Sequence, residues 1–331
     1  MTPKTETDSQ ANGETGVEAP HFKRMALIGV GLIGSSVALA AKRAGLVDSI
    51  VGCARTQKTR DKAMELGIVD AMYEDPAETV AGADLVIVCS HLGSYPTVGK
   101  AMAPALAQGA IVTDVGSVKG CVARDLGPHI PDGVHLVPGH PVSGSEKSGP
   151  EAGFETLFDD RWWILTPGED ANDEAVARLT GFVQALGSRV EIMDAKRHDL
   201  VLAITSHLPH LIAYNIVGTA DDMETVTQGE VVKYSAGGFR DFTRIAASDP
   251  EFWRDVFLNN REAVLETLGR FTEDLIALQR AIRWGQGDNL LRLFTNSRDI
   301  RHRIIQAGQD TDAPDFGRRA EPTSEPTSEP D

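Results

Sequence analysis

Cysteine is scarce in this sequence, with three residues in 331: Cys53, Cys89 and Cys121. The number is odd and none are spaced as C-x-x-C, which excludes a disulfide framework and leaves reduced thiols. The cysteines and histidines fall into no metal-ligand spacing either, so no metal is expected. No uninterrupted apolar run reaches the ~18 residues of a membrane span, so no membrane segment is expected. The N-terminus, MTPKTETDSQANGETGVEAP, lacks the basic-then-apolar pattern of a signal peptide, and a cytoplasmic location is expected. Positive charge is also in deficit. Thirty-two Lys and Arg against 48 Asp and Glu leave a net charge of -16, which argues against a nucleic-acid partner. About half of that excess sits at the ends: residues 1–20 sum to -3 and residues 310–331 to -5. With the repeat EPTSEPTSEP, these ends cannot bury a core, and disordered tails are expected over 1–21 and 308–331.

What lies between the tails has the composition of a globular protein and the length for two domains. KRMALIGV (23–30) reads as a strand, and GVGLIGSSVALAAKRAG follows at once. Gly29, Gly31 and Gly34 have G-x-G-x-x-G spacing. Placed after a strand and opening a helix, that spacing is a dinucleotide-binding fingerprint, with Leu32 and Ile33 on the turn. Gly29 permits the tight turn, Gly31 lets a pyrophosphate approach, and Gly34 lets helix and strand pack. The next strand, SIVGCA (49–54), runs into Arg55 and Thr56, with no acid before Asp61. An acid there would hold a ribose 2′-hydroxyl, whereas Arg55 suits a 2′-phosphate. The cofactor is therefore expected to be NADP or NAD, with NADP favoured.

Strands and helices go on alternating to about Met193, which implies a doubly wound parallel sheet of Rossmann type over 22–193. Such sheets bind ligands at the carboxyl ends of their strands, where Gly29–Gly34, Ser90, Ser117 and His140 would lie. Residues 139–149, GHPVSGSEKSG, read as a polar loop in which Pro141 restrains the backbone of His140. From Asp194 the periodicity is helical, over 195–220, about 223–234, 249–285 and 287–306, giving an all-helical domain over 194–307. Its surplus of apolar residues, among them Leu258, Leu265, Leu275 and Ile276, points to a homodimer interface.

Four segments then stand out: DVGSVK (114–119), GHPVSGSEKSG (139–149), RHDLVLAITSHLPH (197–210) and GGFRDFTRIAASDP (237–250). Together they resemble the prephenate and arogenate dehydrogenases of tyrosine biosynthesis, over roughly residues 23–306. The resemblance implies hydride transfer from the ring C4 hydroxyl of prephenate to NAD(P)+, loss of CO2 and formation of 4-hydroxyphenylpyruvate. It implies His140 as the base that takes the hydroxyl proton, a role suited to a neutral imidazole. It places Ser117 near the hydroxyl and the nicotinamide, and Arg244 on a substrate carboxylate. His198, His207 and His210 correspond to site histidines, and Glu146 and Asp241 to acids that gate the site. No mutase segment and no ACT-type regulatory domain are expected.

The two substrates differ by a keto against an amino group. No residue here is seen that must pair with an ammonium, so prephenate is expected. A β-hydroxyacid dehydrogenase would share the two-domain plan, but it wants a catalytic lysine in a glycine-rich helical motif. Lys196 and Lys233, the only lysines after residue 190, sit in none. A dinucleotide sensor without turnover would not need Ser117, His140 and Arg244 together.

Overall fold

The computed structural model describes residues 20–145, 147–227 and 234–306. Residues 1–19 of the tail expected over 1–21, the whole of the tail expected over 308–331, the helix expected to reach 234 (over 228–233), Lys233 and Glu146 lie outside the described residues. The described chain begins with alternating strands and helices: β1 (Phe22–Ile28), α1 (Leu32–Arg43), β2 (Val47–Cys53), α2 (Gln57–Glu65), β3 (Ala71–Tyr73), α3 (Pro76–Val80), β4 (Leu85–Val88), α4 (Tyr95–Met102), β5 (Ile111–Asp114), α5 (Gly120–Asp125) and β6 (His135–Leu136). The six strands form one parallel sheet in the order β3-β2-β1-β4-β5-β6. The order reverses between β1 and β4, and that switch point is where a doubly wound sheet opens a crevice for a ligand.

Both faces of the sheet are covered, as parallel strands require. Along β1, Met25 and Leu27 enter one apolar cluster with Val37, Trp163 and Phe182. Ala26 and Ile28 point the other way, into a cluster with Val86, Val88 and Tyr95. Each fully buried side chain of this size contributes roughly 1.5–3 kcal/mol. The fingerprint glycines earn their positions by contact. Gly29 has φ 107°, and a Cβ there would lie 2.8 Å from the Cys89 carbonyl oxygen across the switch point. A Cβ on Gly34 would run into the Gly29 carbonyl oxygen.

The second half of the strand pattern departs from expectation. β7 (Gly139–Pro141), β8 (Trp162–Leu165) and β9 (Arg189–Ile192) do not extend the parallel sheet. They form a separate three-stranded sheet in which β7 runs antiparallel to β8, pairing His140 with Ile164. α6 (Asp173–Ala185) crosses between the parallel pair β8 and β9. His135 and Val137 donate to the Ala110 and Val112 carbonyls, but the next donor in that register, the Gly139 N–H, goes to the Asp114 side chain, so the backbone ladder to β5 ends there and the chain turns away. One consequence concerns His140. It stands on a strand at the head of the 139–149 segment, not within a loop.

A buried ion pair ties the two sheets together. Asp114, the last residue of β5, accepts from Lys119 Nζ at 2.5 Å, with neither side chain exposed. Asp114 also accepts from the Tyr95 hydroxyl at 2.8 Å, the Gly116 N–H at 2.8 Å and the Gly139 N–H at 3.1 Å. Lys119 Nζ returns to the Gly139 carbonyl at 2.5 Å. Both backbone groups of the residue before His140 are thereby held by the ion pair, the N–H by Asp114 and the carbonyl by Lys119.

The helical part begins with Asp194, whose side chain caps α7 (Ala195–Leu202) by accepting from the Arg197 N–H. One π-helical turn (Ala203–His207) joins α7 to α8 (Leu208–Thr227) without a break. α9 (Gly237–Thr243), α10 (Pro250–Asn259), α11 (Arg261–Arg283) and α12 (Gly287–Gln306) follow. The single helix expected over 249–285 is interrupted at Asn260, where φ is -103° and ψ 32°. By internal contacts the chain forms two compact units, residues 1–267 and 268–331, with the boundary inside α11. The stretch Ala195–Met223 is long and apolar enough to cross a bilayer by length and composition, although polar residues interrupt its apolar runs. It also carries His198 and His207, both completely buried.

Removing Lys119's charge should leave Asp114 ionised without a counter-ion in the interior. Lys119→Met is expected to lower the unfolding free energy by about 3–5 kcal/mol in urea titration. Stability equal to that of the unaltered protein would contradict the role assigned to the pair.

Candidate active site

Gly31 precedes the first residue of α1 and supplies no side-chain cap, and the first turn has no acidic residue. The first N–H groups of a helix lack intrahelical partners and carry the positive end of its dipole. A Cβ built on Gly31 would meet nothing within 4 Å, so the backbone is open to close approach. A cavity of about 830 Å³ lies over this turn, within the range of small-molecule sites. Gly31, Leu32, Ile33, Ser90, Ser117, His140, His210 and Arg244 all line it. Gly29 and Gly34 serve as packing and do not line it, and neither do Arg55, His198, His207 and Asp241. Ser145 and Lys147, on either side of Glu146, are in the lining.

Ser117 Oγ is buried and has no hydrogen-bond partner among the described residues. An orphaned hydroxyl in a cavity wall is a group waiting for a ligand. Together with the uncapped start of α1, it fits a bound dinucleotide. Arg55 follows the end of β2 and is exposed, while Thr56 beside it caps α2 by accepting from the Thr59 N–H. Arg60 is engaged elsewhere, on the Ala54 and Arg55 carbonyls and on Glu74.

His140 is 7% exposed. Its Nδ1 lies 2.8 Å from His198 Nε2. Burial holds the His140 imidazole well below its ordinary pKa of 6.5, and His198, Lys119 and His207 push in the same direction. At neutral pH it is therefore uncharged and able to accept a proton. His198 stands behind it, wholly buried and out of the cavity, and the substrate contact expected for it is replaced by one with His140. Its Nδ1 meets Asp199 Oδ1 at 2.8 Å. Burial lowers the His198 pKa and the bond to Asp199 opposes the shift.

His207 is also wholly buried. The Asn260 side-chain amide donates to its Nδ1 at 3.0 Å and to the Asp199 carbonyl at 2.8 Å. His207 Nε2 makes no hydrogen bond among the described residues, although the Ser117 backbone carbonyl is close enough to favour the charged ring. Burial dominates and brings the His207 pKa down to about 4. His210 does reach the cavity. Its ring stacks on Trp253 with centroids 3.6 Å apart, and its Nδ1 donates to the Ser206 carbonyl at 2.8 Å. Arg244 begins a short 3-10 turn after α9. Asp241 is 3.5 Å from Arg240.

Sequence reasoning missed Trp253, Asn260 and Asp199. Asp199 was legible in principle, since it follows His198 inside the RHD segment. Trp253 and Asn260 come from α10 and its C-terminal end, 43 or more residues beyond His210, and no local pattern marks them.

Comparison with known proteins bears on this geometry. A family profile described as "Prephenate dehydrogenase, nucleotide-binding domain" matches residues 37–192, and one described as "Prephenate dehydrogenase, dimerization domain" matches residues 194–296. The chain is 41% identical over 280 residues to cyclohexadienyl dehydrogenase of Zymomonas mobilis, covering 85% of this chain and 95% of that one. It is 32% identical over 276 residues to prephenate dehydrogenase of Bacillus subtilis, covering 83% and 74%. The crystal structure of prephenate dehydrogenase from A. aeolicus in complex with hydroxyphenyl propionate and NAD+ superposes with a TM-score of 0.80 at 33% identity, covering 85% of this chain and 98% of that one.

The three buried, neutral histidines make stability depend on acid. The unfolded chain protonates His207 below about 6.5 but the folded chain only below about 4, so unfolding takes up a proton in between. Stability contributed by this residue is present above 6.5 and is lost as pH falls towards 4, by on the order of 3 kcal/mol. His140 and His198 are lowered too and add in the same direction. The urea midpoint should fall between pH 7.5 and pH 4.5, and a midpoint unchanged over that range would contradict the burial of neutral rings.

Proposed function

The chain belongs to the prephenate dehydrogenase family, and we propose that it converts prephenate to 4-hydroxyphenylpyruvate by hydride transfer and decarboxylation. Membership makes it an oxidoreductase of tyrosine biosynthesis with a dinucleotide-binding domain. The observation that carries the finer reading is the set of groups on one cavity wall: a neutral imidazole, an orphaned serine hydroxyl, an arginine and an open helix N-terminus.

When bound, the oxidised nicotinamide supplies the hydride acceptor. The ring hydroxyl must lose its proton as hydride leaves C4, and His140 takes it on Nε2, the nitrogen not engaged by His198. Ser117 Oγ fills its empty hydrogen-bonding capacity with that hydroxyl and with the cofactor. Arg244, a permanent cation with a forked donor set, holds a substrate carboxylate. The ring carboxylate has to shed its charge as CO2, so the guanidinium serves best on the side-chain carboxylate, away from the reacting carbon. The stacked pair of His210 and Trp253 walls the cavity on the helical side.

One observation favours arogenate as an additional substrate. With its Nδ1 proton committed to the Ser206 carbonyl, His210 keeps Nε2 as an acceptor, which suits an ammonium. For the cofactor, the exposed Arg55 and the absence of an acid at the end of β2 support NADP over NAD. A homodimer through the helical part is supported by its exposed apolar side chains. Ile204, Leu258 and Leu265 in the first unit, and Ile282, Trp284 and Leu291 in the second, are each more than half exposed. The matched dimerization-domain profile points the same way. A cytoplasmic enzyme is the reading that fits these assignments.

Purified protein should reduce NADP, and more slowly NAD, in the presence of prephenate, followed at the nicotinamide absorbance. Parallel reactions with arogenate give the ratio of kcat/KM for the two substrates. No reduction with either substrate would overturn the proposal. Arg55→Ala should raise KM for NADP about tenfold while changing that for NAD much less; an equal change for both would count against the 2′-phosphate assignment.

A further inference from the structure

The histidine that faces the cavity is the end of a chain of hydrogen bonds whose other end is a carboxylate. We infer that Asp199 is a positioning residue which, acting through His198, fixes the tautomer of His140 so that its Nε2 is the bare, proton-accepting nitrogen. The inference deepens the proposed function and rests on His140 being the base.

The direction of the chain follows from what each atom can give. Asp199 Oδ1 accepts from the Lys119 N–H at 2.7 Å and Oδ2 from the Gly120 N–H at 2.8 Å. Both oxygens are thus acceptors at the start of α5, and the carboxylate needs no proton of its own. His198 Nδ1, 2.8 Å from Oδ1, must then carry the hydrogen between them. A neutral imidazole has one N–H, so His198 Nε2 is a lone pair. His140 Nδ1 lies 2.8 Å from that lone pair and must donate to it. The single N–H of a neutral His140 is then used up on Nδ1, and Nε2 is left bare. Reversing the chain would bring the bare Nδ1 of His198 against a carboxylate oxygen, two acceptors at 2.8 Å with no hydrogen between them.

Asp199 itself is 9% exposed and does not line the cavity, so it touches neither substrate nor cofactor. Its backbone is held as well, because the Asn260 amide donates to its carbonyl at 2.8 Å. The same carboxylate therefore anchors the turn after Ser117 and orients the base. The two groups expected to face the substrate hydroxyl share one support. With the wrong tautomer, His140 would present an N–H to that hydroxyl and could not take its proton.

The test combines kinetics with nitrogen-15 NMR of histidine-labelled protein, the His140 signals being assigned by their loss in His140→Asn. In the unaltered protein at pH 8, His140 should show a protonated Nδ1 and an unprotonated Nε2. His198→Leu removes the acceptor without touching the carboxylate that caps α5. It should lose this tautomer and about 10²-fold or more in kcat, with KM changed no more than about threefold. His198→Gln can donate to Asp199 and accept from His140, and should keep the tautomer and at least about a tenth of kcat. Asp199→Ala should mix the tautomers and lower kcat if it folds; the two His198 variants decide the matter if it does not. Turnover should follow the tautomer across all variants. His140 carrying its proton on Nε2 in the unaltered protein, or a variant in which tautomer and turnover part company, would overturn the inference. If the unaltered protein turned over neither substrate, the proposed function would fall while the tautomer measurement still stood or fell by itself.

Discussion

Lys119 and Asp114 meet in the interior with neither side chain exposed, and the geometry around the site depends on that contact. Removing two charges from water costs several kcal/mol per ion unless each is fully engaged. Here both are. The carboxylate accepts from an ammonium, a tyrosine hydroxyl and two backbone N–H groups, and the ammonium also reaches a carbonyl. The benefit is positional. β5 ends at Asp114, the turn bearing Ser117 runs from Asp114 to Lys119, and β7 begins at Gly139, which both partners grip. A strand of one sheet, a turn and a strand of the other are joined at one point, one residue from His140.

The same charges bear on the chemistry. Lys119 is one of the groups that keep His140 uncharged, and burial is the larger one. A base in a dry wall stays neutral without a special pKa partner. Three histidines stand close together there, and repulsion from neighbouring rings adds to burial in holding His140 and His207 neutral. Within this cluster Asp199 and Asn260 choose which nitrogen carries the hydrogen, and the bond to Asp199 opposes, without outweighing, the effect of burial on His198.

Parts of this were legible in the sequence for physical reasons. A strand running straight into G-x-G-x-x-G permits few structures, because Gly29 and Gly34 each answer a specific contact and Gly31 leaves the backbone open, and the parallel sheet followed. The register of the long helix was not legible. His198 and His207 are nine residues apart, which on an ideal α-helix puts them about 180° from each other. The extra residue of the π turn at Ala203–His207 rotates the later part back by about 100°, and both rings can then serve one cluster. Nothing in the apolar pattern announces such a turn. The break at Asn260 was hidden for a related reason. Its flanks are both helical, and the residue leaves helical geometry where its amide reaches His207 and the Asp199 carbonyl. The second sheet escaped notice because its strands carry the same alternation as the first. The ladder ends where the Gly139 N–H goes to the Asp114 side chain, a contact that no local pattern announces.

The central claim is that His140, on β7, is the group that takes the substrate's proton and is not merely part of its binding surface. The most direct measurement is single-turnover hydride transfer by His140→Asn beside substrate affinity in the same variant. Asparagine keeps a polar side chain of similar reach but cannot accept a proton at neutral pH. The account predicts substrate binding within about threefold of the unaltered protein and a hydride-transfer rate lower by about 10²–10⁴-fold. A variant that transfers hydride at near-normal rate would contradict it.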